Sequence, residues 1–166
     1  MSAIIYHGPG SIRPVSTFNG LPAHVLFVHF IVALAPLTAL LAILCAVWPA
    51  ARQRLVWLVL ALSLIVTVLT PLTTEAGEWL EDKVGRSPLI EAHAEIGDTM
   101  LFFSLALLVG AVLLAVIHVS AARGRAVSSV LAAVVAVFVV VASVATIVQV
   151  YRIGDSGAKA TWSQIA

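Results

Sequence analysis

The sequence predicts an all-α integral membrane protein, a bundle of four transmembrane helices. Of its 166 residues, 61% are hydrophobic and only 10% are charged, whereas soluble domains carry about 25% charged residues. The apolar residues fall into four long runs, each long enough at about 1.5 Å per residue to cross a hydrocarbon core of about 30 Å. A net charge of +1 without a Lys/Arg-rich run argues against nucleic acid as a partner. We therefore expect the lipid bilayer to surround most of the chain.

Residues 1–20 are predicted to form a tail outside the membrane, because glycine and proline recur there and break helical periodicity. The first transmembrane helix is expected over residues 22–48. Pro22 suits the N1 position of this helix, where the missing backbone N–H has no partner to lose, and Pro49 marks its end. A second apolar run covers residues 54–72.

The second helix is expected to continue beyond the membrane to about residue 84. Thr74, Glu78 and Asp82 keep a spacing of four after Pro71, so this proline predicts a kink and not an end. A turn at Gly85 then separates the second helix from the third.

The third and fourth helices are predicted over residues 88–121 and 126–151. Ser87 and Pro88 form a helix start, with serine at the N-cap and proline at N1. A polar C-terminal tail over residues 154–166 follows the fourth helix.

Four spans place both termini on one side of the membrane, with residues 21–153 as the transmembrane domain. The two connections at the opposite end contain four arginines and no acidic residue: Arg52, Arg54, Arg123 and Arg125. Because positive charge in short loops favours the cytoplasm, we expect both termini on the extracytoplasmic side of the inner (plasma) membrane.

Small and polar residues predict the inward faces of these helices, since membrane helices pack through close backbone approach. The single cysteine, Cys45, lies in an apolar run and is also expected to be buried. The predicted inward residues are Ser63, Thr67, Thr70, Thr74 and Gly77 on the second helix, His93, Gly97, Met100 and Ser104 on the third, and Ser129, Ala132, Ala136, Val139, Ser143, Thr146 and Val150 on the fourth.

Ionisable residues inside a span are costly and mark candidate functional sites. Of the five histidines, His7 lies in the N-terminal tail and His118 near the arginine-containing end, where solvent or the interface accounts for them. His24, His29 and His93 lie in the outer half of the bundle. His24 and His29 are five residues apart, about 140° around a helix, so both cannot face one small ion.

We expect His29 to face the interior, at a depth similar to that of His93: about 10 Å and about 8 Å from their helix starts at 1.5 Å per residue. Two imidazoles at matched depth on facing helices are the axial arrangement of a haem in a four-helix bundle. Gly77 and Gly97 would let a flat macrocycle approach the backbone, and Arg152, Lys83 or Arg86 at the outer rim would meet its propionates.

The same residues leave two other interpretations open. His29 and His93, with His24 as an alternative ligand and Met100 nearby, could bind copper or zinc, or the histidines could have a structural or proton-relay role. No phosphate-binding glycine loop, HExxH, CxxC or GxSxG motif is present. Seven carboxylates lie between Thr73 and Asp98. Glu81 and Asp82 are interpreted as solvated surface, whereas Glu75, Glu91 and Glu95 lie closer to the predicted interior and their role stays open.

The chain resembles a family of small bacterial membrane proteins described as domain of unknown function 2231. The resemblance rests on four segments in the family's order: LPAHVLFVHF at 21–30, TTEAGEW at 73–79, EAH at 91–93 and YRIGDSG at 151–157. Ala23, Val25 and Ile31 depart from the family's first segment.

The resemblance implies a four-helix membrane bundle, and some members of this family are regarded as b-type haem proteins or occur beside respiratory components. His29 and His93 are the ligand candidates that it carries over. We therefore expect a cytochrome-like electron carrier with haem b near the outer face, with quinone or respiratory-complex subunits as candidate partners. An electron carrier is favoured over a stand-alone enzyme, and enzyme activity stays an open question. The alternatives are an accessory subunit of a respiratory complex and a metal-binding membrane protein.

Overall fold

The computed structural model describes residues 17–18, 20–125 and 127–162. Within them it contains a minimal antiparallel pairing of two strands, β1 (Thr17–Phe18) and β2 (Leu21–Pro22). Five helices follow: α1 (Ala23–Val47), α2 (Pro49–Val84), α3 (Pro88–Asp98), α4 (Met100–Ala122) and α5 (Ser129–Trp162). Most of the predicted N-terminal tail, including His7, lies outside the described residues, as do the last four residues of the C-terminal tail.

The predicted fold class is confirmed. Four stretches of the described chain are long and apolar enough to cross a membrane: α1, α2, α3 together with α4, and α5. As an even number of spans, they return the chain to the side from which it entered. The N-cap prediction for the third span is also confirmed, because the Ser87 hydroxyl accepts a hydrogen bond from the Ile90 backbone N–H at 3.3 Å.

Two helices are longer than expected. α2 begins at Pro49, one residue after α1, so Arg52 lies within its first turn and not in a loop. α5 continues through Gly154 to Trp162, across most of the expected tail. Gly154 and Gly157 each cost this helix about 1 kcal/mol, and the Lys159–Asp155 ion pair at 2.7 Å supports the last turns of α5.

The regular α-helical hydrogen bonding of the third span is interrupted at Thr99, between α3 and α4, although the Thr99 backbone keeps helical angles (φ -67°, ψ -18°). The Thr99 hydroxyl donates to Ile96 O at 2.6 Å. Gln149 of α5, only 3% exposed, donates from Nε2 to Ile96 O at 3.1 Å and to Thr99 Oγ1 at 2.6 Å. Polar groups at the interruption are thus satisfied within the protein, as backbone inside a bilayer requires.

The bundle places α1 diagonally opposite the span formed by α3 and α4. α1 packs mainly on α2 and α5, and α4 packs on the same two helices. Towards the arginine-containing end the interior is apolar, with Cys45, Val59 and Leu107 almost fully buried. Gly110 brings α4 close to α5, since a Cβ added there would lie 3.1 Å from Val139 Cγ2.

The predicted inward faces are confirmed, with Ser129 as an exposed exception. Ser63, Thr70, Ser104 and Thr146 are at most 1% exposed. Most of their hydroxyls donate to carbonyls of their own helix, while hydroxyls of α2 and α5 also reach carbonyls of α4. The middle of the bundle is therefore packed through small polar residues, in the manner of membrane helices.

Candidate functional site

A small cavity of about 60 Å³ lies between the helices at the end of the bundle where α1 begins. Its lining comes from all five helices and is mostly apolar. Two imidazoles, a thioether and three threonines are the exceptions. The lining residues are His24, Val28, Ile31, Val32, Thr70, Thr73, Thr74, His93, Gly97, Met100, Val150 and Ile153.

His24, the second residue of α1, reaches across to α2. Its Nδ1 atom lies 2.9 Å from the carbonyl oxygen of Thr73. The ring edge rests on the α2 backbone at Gly77, where an added Cβ would lie 2.9 Å from Nδ1 and 3.0 Å from Cε1. The absence of a side chain at residue 77 thus permits the position of the His24 ring.

His93, in the second turn of α3, is held in a similar way by α5. Its Nδ1 atom lies 2.9 Å from the hydroxyl of Ser156. That hydroxyl is also 2.9 Å from Ile153 O, to which it donates. The ring lies against Gly157, where an added Cβ would be 3.0 Å from Cε1.

These hydrogen bonds determine the tautomer of both rings. A carbonyl oxygen can only accept, so His24 must donate to Thr73 O from Nδ1–H. The Ser156 hydroxyl uses its one hydrogen for Ile153 O and therefore accepts from Nδ1–H of His93. Each Nε2 then carries a lone pair, while the hydrogen bonds of both rings to Thr73 and Ser156 run through Nδ1. Metal-bound histidines typically have this arrangement, with the other ring nitrogen donating to a protein acceptor.

The two rings approach each other across the bundle. Their centroids are 6.4 Å apart and their planes are at 85°. Imidazoles bound through nitrogen on opposite sides of one metal ion, with bonds of about 2 Å, have centroids about 6 Å apart, whereas tetrahedral ligation brings them about 1 Å closer. The separation is thus close to that of two imidazoles that share one metal ion. In the described ranges, no group of three or more His, Cys, Asp or Glu side chains is placed so that it could hold a metal ion.

The expectation that His29 faces the interior is wrong. His29 is exposed, and its Nδ1 bonds to Val25 O of its own helix. His24 faces the cavity instead, because the small residues of α1 that pack inward, such as Ala35 and Ala39, determine which face of the helix turns towards α2 and α5.

Some of the other predicted site residues line the cavity and others do not. His93, Gly97 and Met100 line the cavity, and a Cβ at Gly97 would meet nothing within 4 Å. Gly77 contacts the His24 ring and not the cavity. Arg152 is exposed and bonds weakly to Gln149 Oε1 at 3.4 Å.

Three residues of the site were missed by sequence reasoning: Thr73, Ser156 and Gly157. Thr73 acts through its backbone carbonyl, which no side-chain pattern marks. Ser156 and Gly157 lie in the segment predicted as a tail. They follow Ile153 by three and four residues, a spacing that places them on the same face of a continued helix.

The carboxylates of this end surround the site without entering the cavity. The expectation of a solvated face is confirmed for Asp82, which is exposed. It is wrong for Glu81, whose side chain is only 16% exposed and lies 3.4 Å from Arg86. The other carboxylates of α2 and α3 are exposed.

A family model described as a predicted membrane protein (DUF2231) matches residues 20–165. No curated protein and no solved structure matches the chain. The match covers all four spans and both histidines of the cavity.

Proposed function

The chain belongs to the DUF2231 family of predicted membrane proteins, and we propose that it is a b-type cytochrome-like electron carrier whose haem is held by His24 and His93. One observation carries the proposal: two imidazoles on diagonal helices, 6.4 Å apart, with both Nδ1 atoms hydrogen-bonded to the protein. His24 takes the place of His29 in this proposal because His29 is exposed.

His24 and His93 would be the residues that hold the haem iron. Each ring is oriented by a hydrogen bond from Nδ1 to a neighbouring helix, which leaves the Nε2 lone pair for the metal, and the ring centroids are 6.4 Å apart. The apolar lining around the rings suits a hydrophobic macrocycle.

The cavity is too small for a haem macrocycle as it stands. A cavity of about 60 Å³ holds about two water molecules at roughly 30 Å³ each, whereas pockets for larger ligands measure about 300 Å³ or more. Val32 lines the cavity and is 46% exposed, so the cavity reaches the bundle surface beside α1. Binding of a macrocycle would therefore require the helices around the cavity to separate.

Bound haem would supply one-electron transfer at this site, with a potential tuned by its axial ligands and surroundings. The protein's own residues set these conditions. Thr73 and Ser156 accept the Nδ1–H bonds and so orient both rings, and Ile31 and Met100, both under 9% exposed, keep water from the inner side. The site's position near the bundle end allows electron exchange with a quinone in the lipid or a respiratory subunit at the surface.

We also propose that the site faces the extracytoplasmic side of the inner membrane. The arginines at the other end, including Arg123 and Arg125 in the α4–α5 connection, support that orientation by the positive-inside rule.

The test is a visible spectrum of protein expressed with added haem precursor, followed by haemin titration of the ligand-free protein. We expect a Soret band and a low-spin, six-coordinate spectrum. His24→Ala and His93→Ala should lose that spectrum, whereas the exposed His29→Ala should keep it as the matched control on the same helix. Absence of a Soret band, or loss through His29→Ala and not His24→Ala, contradicts the proposal.

A bare copper ion is the second candidate, favoured by the size of the cavity and by Met100. The buried Met100 thioether lines the cavity together with both imidazoles, and thioether and imidazole donors suit Cu(I). Elemental analysis after copper loading distinguishes the two candidates: stoichiometric copper lost in Met100→Leu supports this one, and haem that binds equally well to Met100→Leu excludes it.

A further inference from the structure

Both cavity histidines lie against a glycine of a neighbouring helix. A Cβ at Gly77 would be 2.9 Å from Nδ1 of His24, and a Cβ at Gly157 would be 3.0 Å from Cε1 of His93. Such distances are below ordinary van der Waals contact, so each ring occupies space that an alanine methyl would fill.

Each glycine is paired with a hydrogen-bond acceptor on its own helix. Thr73 O, which accepts from His24, lies one turn before Gly77 on α2, and the Ser156 hydroxyl, which accepts from His93, lies directly before Gly157 on α5. Each imidazole is thus held by a hydrogen bond at Nδ1 and by contact with helix backbone. Two different helices present the same combination to two different histidines.

Glycine is unfavourable inside a helix because it loses more conformational freedom than other residues. Gly154, in α5 like Gly157, shows what a glycine without this contact looks like: an added Cβ would meet nothing within 4 Å. The chain therefore offers a control in the same helix, one turn away.

We propose that Gly77 and Gly157 are positioning residues: each leaves room for the ring of His24 or His93 to keep its Nδ1–H hydrogen bond, which leaves Nε2 as the nitrogen that can bind a ligand. The identity of that ligand as haem rests on the proposed function, but the positioning itself does not. A methyl at either glycine displaces the ring and breaks its Nδ1–H bond, while the helix itself gains from the loss of glycine.

The first test uses the ligand-free protein in detergent micelles. Long-range proton–nitrogen NMR of the imidazoles reports the tautomer, and single His→Gln variants assign the signals. We expect Nδ1–H tautomers for both rings. Gly77→Ala should shift only the His24 signals and Gly157→Ala only those of His93, while Gly154→Ala shifts neither.

Thermal unfolding separates positioning from folding. Gly154→Ala should raise the melting temperature, because alanine favours the helix. Gly157→Ala should raise it by less, because its methyl displaces the His93 ring. When His93→Ala removes that ring, Gly157→Ala should raise the melting temperature as much as Gly154→Ala does. Since Gly77 and Gly157 lie on different helices, one contact can be tested even if the variant at the other glycine folds poorly.

The second test is haemin titration of the folded variants. We expect Gly77→Ala and Gly157→Ala to lower haem affinity about 10- to 100-fold, the usual effect of changing groups that orient a ligand, and Gly154→Ala to leave it unchanged. If wild-type protein binds haem and all three variants bind it equally well, the positioning role of Gly77 and Gly157 is refuted and the haem proposal stands. If wild-type protein binds no haem, the haem proposal is refuted. The NMR experiment then tests the positioning role by itself, and unchanged imidazole signals in both Gly77→Ala and Gly157→Ala would refute it.

Discussion

Replacing Gln149 by methionine tests how the interruption between α3 and α4 is stabilised. Gln149 is buried and donates to Ile96 O and Thr99 Oγ1, and methionine has a similar size without donors. Side-chain hydrogen bonds between membrane helices contribute about 0.6 kcal/mol each on average, and at most about 1.7. Ile96 O keeps its bond from the Thr99 hydroxyl. We therefore expect the free energy of unfolding to fall by about 1 kcal/mol and by no more than about 3.

The assay is reversible unfolding in mixed micelles with increasing SDS, followed by helicity. Because Thr99 shares a bond with Gln149, Thr99→Val and Gln149→Met should couple by about 0.5–1.5 kcal/mol in a double-mutant cycle. Thr67→Val removes a hydroxyl that bonds to Ser104 O instead, so it should add to Gln149→Met independently. Hydrogen exchange of α3 should rise in Gln149→Met. Unchanged stability, or additivity with Thr99→Val, would refute this account of the interruption.

Further predictions concern packing, burial and orientation. Gly110→Leu should lower the free energy of unfolding by about 1–3 kcal/mol, the usual range for overpacking, because α5 lies against Gly110. Gly154→Leu places its side chain in open space and should lower the free energy of unfolding by less than about 1 kcal/mol. Equal losses in SDS unfolding would contradict the close contact at Gly110. Cys45, which is fully buried, should react with a maleimide only after SDS unfolding, and rapid reaction in mild detergent would contradict its burial. With Cys45→Ala as background, an impermeant maleimide applied to spheroplasts should label Asp82→Cys and not Ser128→Cys; the reverse pattern would invert the proposed orientation.

Most of the fold could be predicted because hydrophobicity is a sum over local residues. Four apolar runs suffice to predict four spans, and the Ser87–Pro88 start is a local capping pattern that the structure reproduces. The inward faces of α2 and α5 could be predicted for the same reason, since the spacing of small residues is a property of one helix.

The interruption at Thr99 could not be predicted, because it depends on a partner outside its own segment. Gln149 lies 50 residues further along the chain, and nothing near Thr99 in the sequence indicates that an amide from α5 will satisfy Ile96 O. The extent of α5 past Gly154 has a similar cause, since Gly157 packs against a ring from α3.

The candidate site shows the same division. From the sequence alone, intramembrane histidines, their depth and their incompatibility at five residues' spacing follow from helix geometry. Which of His24 and His29 faces the interior does not, because the rotation of α1 is determined by its packing against α2 and α5. The tertiary structure selects His24, since Gly77 leaves room for its ring and Thr73 O accepts its proton, both from a helix about 50 residues away in the chain.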